Sequence, residues 1–163
     1  MLSNIEDERG KMENELSGWE PLVHESQINV PYEWWAGETA GRFFKGIRDE
    51  QKIFGTECKQ CNKVFVPPRK SCPECFAEKT TWVEVGPGGE LVAFTVARRQ
   101  LAALPEKAPV IFGLIKLDGA DTALLHRVGE VKPGRVQIGM RLAAKFSDNR
   151  KGGILDIDYF RPA

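Results

Sequence analysis

Four cysteines carry the clearest chemistry in this 163-residue chain. They fall in one stretch, GTECKQCNKVFVPPRKSCPECFAEK, as two C-x-x-C pairs, Cys58/Cys61 and Cys72/Cys75, with ten residues between the pairs. Each pair can present two thiolates from one tight turn, and two such turns facing each other make a tetrahedral four-sulfur site that suits zinc. The gap is shorter than the roughly 15–20 residues common in such sites. It still allows a hairpin in which KVFV runs out, PPRK turns and the chain returns. Four thiolates leave no open position for water or substrate, so the expected metal is structural, one zinc per chain, with iron as the alternative occupant of the same sulfurs. Metal binding on the order of 10 kcal/mol would then fold a knob too small for its own core. Lys59, Lys63, Arg69 and Lys70 lie in or beside the stretch. They either compensate the formal −2 charge of a zinc tetrathiolate or, for Arg69 and Lys70 after the stiff Pro67-Pro68, reach an outside anion.

The elements that must position this ribbon read differently on its two sides. Upstream, PYEWWAGETAGRFFKGIRDEQKIFG reads as helical over 38–50, with Gly55 ending the region. Its aromatic and apolar residues Trp34, Trp35, Phe43, Phe44 and Ile47 either pack on their own domain or dock a partner, and they are the candidate docking residues. Downstream the period becomes two: WVEVGPGGELVAFTVARR, PVIFGLIKLDG, DTALLHRVGEV, MRLAAKFSD and GILDIDYF are five strand-like runs separated by Gly, Pro and Asp turns. Five short strands with a brief element after the third match the small Greek-key barrel called the OB-fold, with Gly113 expected at a bulge or bend. The GPGGE run at 86–90 leads into a strand and lacks the G-K-[ST] ending of a phosphate loop, so it reads as a turn. His126 and His24 read as ordinary hydrogen-bonded residues.

The expected architecture is therefore mainly β: an N-terminal helix, a rubredoxin-like zinc ribbon and a C-terminal five-stranded OB-fold barrel. The divisions are an acidic extension over 1–31, an aromatic helical segment over 32–54, the ribbon over 55–81 and the barrel over 82–163. Net charge is zero, yet residues 1–50 hold eleven acids against five bases and the remainder twelve against eighteen. That balance is weak for a polyanion binder, and no run approaches the length of a membrane span. The polar, acidic start lacks the form of a secretory signal, which points to the cytoplasm. No nucleophile or carboxylate pair sits in a recognisable catalytic arrangement, so the chain is expected not to be an enzyme on its own.

The order EWW…GRFFKGI, then C-x-x-C…PPR…C-P-x-C, then a five-stranded barrel resembles the DUF35 proteins, the acyl-CoA-associated zinc-ribbon/OB-fold family. The resemblance covers about residues 32–163 and is most specific at VPPRKSCPEC and TWVEVGPGGELVAFTV. It departs from the pattern in CKQCN, where a glycine often follows the second cysteine. It implies zinc at Cys58, Cys61, Cys72 and Cys75, and a hetero-oligomer with a thiolase-fold enzyme in which this chain is a non-catalytic accessory subunit. It also implies coenzyme A or acyl-CoA as ligand, for which Arg69 and Lys70, then Arg98 and Arg99, are the candidate contacts. Two other readings compete: a free-standing acyl-CoA-binding module, and a single-stranded nucleic-acid binder, which would need exposed aromatics interleaved with bases on the barrel face. The aromatics after Trp82 are Phe94, Phe112, Phe146, Tyr159 and Phe160, in mostly aliphatic runs.

Overall fold

A computed structural model describes residues 23–25, 28–78, 80–100 and 107–163. Most of the expected acidic extension, residues 1–22 and 26–27, lies outside them. The chain divides after Trp34, and the elements below all belong to Trp35–Ala163.

Helix α1 (Glu38–Lys45) starts at Gly37, whose φ of 83° is open to glycine, and ends in a π-helical turn, Gly46–Glu50. Glu38 in its first turn and Arg42 and Lys45 in its last complement the helix dipole. Gln51, at φ 55°, stops it. Strand β1 (Ile53–Cys58) follows, so Gly55 sits inside a strand and terminates nothing. Its role is close approach: a Cβ there would lie 2.9 Å from the Phe65 carbonyl oxygen and from Val66 Cγ2.

Strands β1, β2 (Lys63–Phe65) and β3 (Thr81–Val85) form an antiparallel sheet in the order β2-β1-β3. The first strand-like run of the sequence is thus two strands in two sheets. Trp82 pairs with Thr56 in the ribbon sheet, while β4 (Gly88–Ala97) opens the barrel. The break falls at Gly86-Pro87, where the GPGGE turn changes the chain's direction; Gly86 N–H donates to the Asp118 carbonyl at 3.0 Å.

The barrel continues with β5 (Val110–Leu117), β6 (Ala123–Val128), β7 (Arg141–Phe146) and β8 (Ile157–Pro162). It closes in the order β4-β5-β6-β8-β7, with a 3₁₀ turn at Pro133–Arg135 between β6 and β7. Only the β6–β8 pairing is parallel. This is the OB-fold, and the chain is mainly β. Register shifts fall at Val92, between Leu91 and Ala93 of β4, and between Lys145 and Phe146 of β7, and not at Gly113. Gly113 is small because a Cβ would meet Leu91 Cδ1 at 2.5 Å and Val128 Cγ2 at 2.9 Å inside the barrel.

One core joins helix, ribbon and barrel. Phe43 and Ile47 from the helical segment, Ile53, Val66 and Val85 from the ribbon and its sheet, and Leu91, Ile115, Leu142, Ile157 and Phe160 from the barrel are buried together. His126 is buried beside them. Its Nε2 is 3.2 Å from the Ile154 carbonyl, its ring meets Phe160 edge-on at 5.6 Å, and burial holds its pKa below the ordinary value.

The loop before β8 is organised by one carboxylate. Asp156 is buried and accepts N–H bonds from Lys151 (2.8 Å), Gly152 (2.7 Å) and Gly153 (3.2 Å). Within that loop Arg150 Nε donates to the Arg48 carbonyl at 2.7 Å, tying the loop to the end of the helical segment. Burial raises the Asp156 pKa, but the three N–H groups together bring it below the ordinary 3.8. The stabilisation is therefore complete above pH 4 and is lost as pH falls through the depressed native value. Asp156→Asn, which keeps the shape and removes the charge, is expected to lower stability by about 2 kcal/mol at neutral pH. Chemical denaturation of the pair should show that difference shrinking on acidification; a constant difference would contradict the assignment.

Candidate metal centre and surrounding surface

The two C-x-x-C turns are built alike. Asn62 N–H donates to the Cys58 carbonyl at 2.7 Å and Phe76 N–H to the Cys72 carbonyl at 3.0 Å. To close these turns the residue after each second cysteine takes positive φ: 54° at Asn62 and 60° at Phe76. Asparagine accepts this region readily, so the missing glycine in CKQCN leaves the first knuckle intact. For Phe76 the same conformation is strained, and its side chain stands exposed at the ribbon's tip.

These turns bring all four sulfurs within 4.8 Å of one another. Cys58 Sγ lies 3.6 Å from Cys75 Sγ, and Cys72 Sγ 3.8 Å from Cys61 Sγ. Both are too long for a disulfide of about 2.05 Å. They match the edge of a sulfur tetrahedron, about 3.8 Å for a Zn–S bond of about 2.3 Å. The donor set and its geometry fit a structural zinc site. Backbone N–H groups of Cys75 and Glu74 point at the Cys72 sulfur and pull its thiol down to about 7 against burial. Cys61 is pushed up to about 12, first by hydrogen bonding to Cys75 and then by burial. Neighbouring thiols ionise together only beside a cation, which is what a divalent metal supplies. Lys63 does not face the sulfurs alone: its ammonium pairs with Glu74.

Among the described residues, and apart from the shared core, the buried hydrophobic side chains of this knob are Cys58, Phe65 and Cys72. Its position comes from polar ties. Val64 N–H donates to Asp121 Oδ2 and the Val64 carbonyl accepts from Asp121 N–H, both at 2.8 Å. Val66 N–H donates to Thr122 Oγ1 at 2.8 Å, whose hydroxyl returns a bond to the Val66 carbonyl at 2.9 Å. Buried Thr56 does the same for the PPRK turn, accepting from Arg69 N–H at 2.8 Å and donating to its carbonyl at 3.0 Å.

The other candidate residues separate. Arg69 and Lys70 are exposed on this anchored turn, and Arg98 and Arg99 are exposed just after β4. The ribbon docks at the β5–β6 turn, whereas Arg98 and Arg99 follow Ala97, which pairs with Val110 at the other end of the β4–β5 hairpin. The two pairs therefore stand on different parts of the barrel's surface. The five candidate docking residues also divide. Trp34 and Trp35 are 71% and 84% exposed and Phe44 is half-buried, but Phe43 and Ile47 are buried in the chain's own core and offer nothing to a partner. The helical stripe had shown which residues share a face, not which face is covered. Trp82 is covered in part by Arg42, whose guanidinium stacks 4.4 Å from the ring centre.

Sequence reasoning also missed a crevice of about 400 Å³ between α1, the Pro67-Pro68 turn and the outer face of β5–β6. Its walls include Ala40, Phe44, Pro67, Pro68, Leu114 and Leu125, drawn from segments far apart in the chain. On that face Ala93, Leu114 and Leu125 stand in one aliphatic cross-strand row, and the next outward row holds Thr95, Phe112 and Arg127.

Residues 46–81 match the family described as ChsH2, rubredoxin-like zinc ribbon domain, and residues 82–147 match ChsH2, C-terminal OB-fold domain. The chain is 27% identical over 127 residues to a DUF35 domain-containing scaffold protein of Methanocaldococcus jannaschii, covering 74% of this chain and 89% of the relative. A protein of the same description from Methanothermobacter thermautotrophicus is 23% identical over 113 residues, covering 69% and 84%. Among solved structures the fold is similar to the Ltp2-ChsH2(DUF35) aldolase, with TM-score 0.59 and 20% identity over 79% of this chain and 98% of that one. It is also similar to a DUF35-family protein of unknown function from Sulfolobus solfataricus, with TM-score 0.54 and 25% identity over 66% and 78%. The aldolase corrects one expectation. A chain of this fold bears the name of an enzyme, so the lack of a recognisable catalytic motif does not place this protein outside catalysis. Among the described residues no helix is long and apolar enough to cross a membrane.

The metal centre gives a direct test. The purified protein should carry one zinc per chain by elemental analysis, and X-ray absorption should show sulfur neighbours at about 2.3 Å. Cys58→Ser and Cys72→Ser, which replace the two buried thiols, should each release the metal; retention of full stoichiometry in both would contradict the assignment. On the ribbon, the barrel and the family matches that run unbroken over residues 46–147, the chain is a DUF35-family zinc-ribbon/OB-fold protein.

Proposed function

We propose that this chain is a subunit of an enzyme complex acting on acyl-CoA esters, with a thiolase-fold enzyme as its partner, and that it helps to bind and orient the ester. The observation that carries this reading is a four-cysteine ribbon set against a barrel, in a chain whose Trp34 and Trp35 side chains are left exposed. Exposed tryptophans at this level are the residue type that anchors interfaces. The names of the relatives lean the same way: two are called scaffold proteins, and the aldolase is named for two components. Aldolases and thiolases both break or make a carbon–carbon bond beside a carbonyl, so a component holding the ester in place would serve either chemistry. A thiolase cleaving benzoylsuccinyl-CoA in anaerobic toluene degradation is one specific partner within this class.

In this reading Arg69 and Lys70 contact the phosphates of coenzyme A from the anchored PPRK turn. Arg98 and Arg99, at the far end of the barrel, meet another part of the ligand or the partner. Trp34, Trp35 and Phe44 take the docking role, without Phe43 and Ile47. Four reduced thiols around a metal suit the cytoplasm. Nucleic acid is not the ligand in this reading: half-buried Phe112 is the one aromatic on the outward β5–β6 face, and its neighbour Arg127 is bonded to the Asp158 carbonyl.

Tagged protein expressed in its own organism should co-elute in stoichiometric amount with a thiolase-fold enzyme. Trp34→Ala combined with Trp35→Ala should weaken that capture by roughly tenfold or more, with zinc content unchanged. A stable monomer that retains no such enzyme would overturn the reading.

A further inference from the structure

The crevice between α1, the Pro67-Pro68 turn and the β5–β6 face has a composition that defines what it can take. Its lining side chains are apolar throughout: alanine, phenylalanine, proline, leucine and isoleucine. No lining side chain can hydrogen-bond a ligand, so only an apolar body enters it favourably. A volume of about 400 Å³ exceeds the roughly 150 Å³ cavity that accepts benzene, leaving room for a ring with a short chain. The walls are set before anything binds. Thr122 fixes Val66 by bonds in both directions, which places Pro67 and Pro68 against Ala123, the next residue of β6. The Asp156 loop positions Ile154 on the remaining side.

Charge at the rim defines the other half of the ligand. The PPRK turn carries cations just past its lining residue, Arg69-Lys70 after Pro68, whereas Lys45 faces a separate hollow on the other side of α1 together with Glu38 and Glu50. Strand alternation puts Lys116 on the outward face with Leu114, beside Ala123, whereas Arg127 is turned to the Asp158 carbonyl at 2.7 Å and does not serve the rim. Asp121 and Asp156, acids close to lining residues in the chain, accept backbone N–H groups.

We infer that the crevice binds a compact apolar group, aryl or branched aliphatic, carried by a molecule whose anionic end lies on the cationic rim. Full-length, zinc-loaded, ¹⁵N-labelled protein is titrated with 4-phenylbutyrate and, in parallel, with 4-phenylbutan-1-ol. Saturable amide shifts centred on Ala40, Leu114 and Leu125 are expected with the acid, and binding of the alcohol roughly tenfold weaker. Ala123→Leu, which fills the crevice without adding charge, and Leu125→Glu, at a position already 61% exposed, should each weaken the acid roughly tenfold or more. The CoA thioester of the same acid separates the two sources of negative charge. Tighter binding than the free acid marks a phosphorylated carrier, and equal binding marks a simple carboxylate. No saturable shift, shifts centred near Arg98 and Arg99, or equal affinity for acid and alcohol would each overturn the inference. Partner capture and phenylbutyrate binding are independent readouts, so either can fail while the other stands.

Discussion

Four sulfur atoms gathered within 4.8 Å repel one another as thiolates and stay together only around a cation. The ribbon is arranged around that constraint. Among the described residues its buried hydrophobic side chains apart from the shared core are Phe65 and two of the candidate ligands themselves, too little apolar surface to hold a fold. Metal coordination at these sulfurs would supply the missing free energy. It would also offset the left-handed backbone at Phe76, a conformation that costs on the order of 1–3 kcal/mol for a bulky residue.

Rigidity gained at the sulfurs passes to the rest of the chain through short polar ties. Cys58 ends β1, and β1 carries Thr56, which grips both backbone groups of Arg69. Strand β2 begins two residues after Cys61; its Val64 is bonded to Asp121, and Val66 just after it to Thr122, at the β5–β6 turn. The prolines between these anchors become a fixed wall facing Leu114 and Leu125. Ribbon, helix and barrel then share one core, with Phe43, Val66 and Ile157 among the same buried set. The crevice exists because three elements meet there, and none of them forms it alone.

Much of this was legible in the residues. Cysteine spacing reveals the ribbon because coordination geometry restricts it, and alternation reveals the barrel because each strand has one wet face. What stayed hidden depends on pairing and direction. The run Thr81–Val85 alternates equally well in either sheet, and only its partner β1 assigns it to the ribbon. Phe43 and Trp35 are both large aromatics, yet one is buried and the other 84% exposed. The bulge at Val92 replaces one expected at Gly113 because a glycine marks close approach as readily as a bend. Phe76 takes a position where glycine is usual, so its residue type gave no sign of the turn it makes. The catalytic question was misread for a related reason: a missing motif describes one chain, whereas a reaction can belong to an assembly.

The most direct test of this account is hydrogen–deuterium exchange on the full chain before and after zinc removal. Protection should fall across the ribbon and also at Thr122–Leu125, where the ribbon braces the barrel, while the β7–β8 pairing keeps its protection. Unchanged protection at Thr122–Leu125, or in the ribbon itself, would contradict the claim that the metal fixes the surface this protein presents.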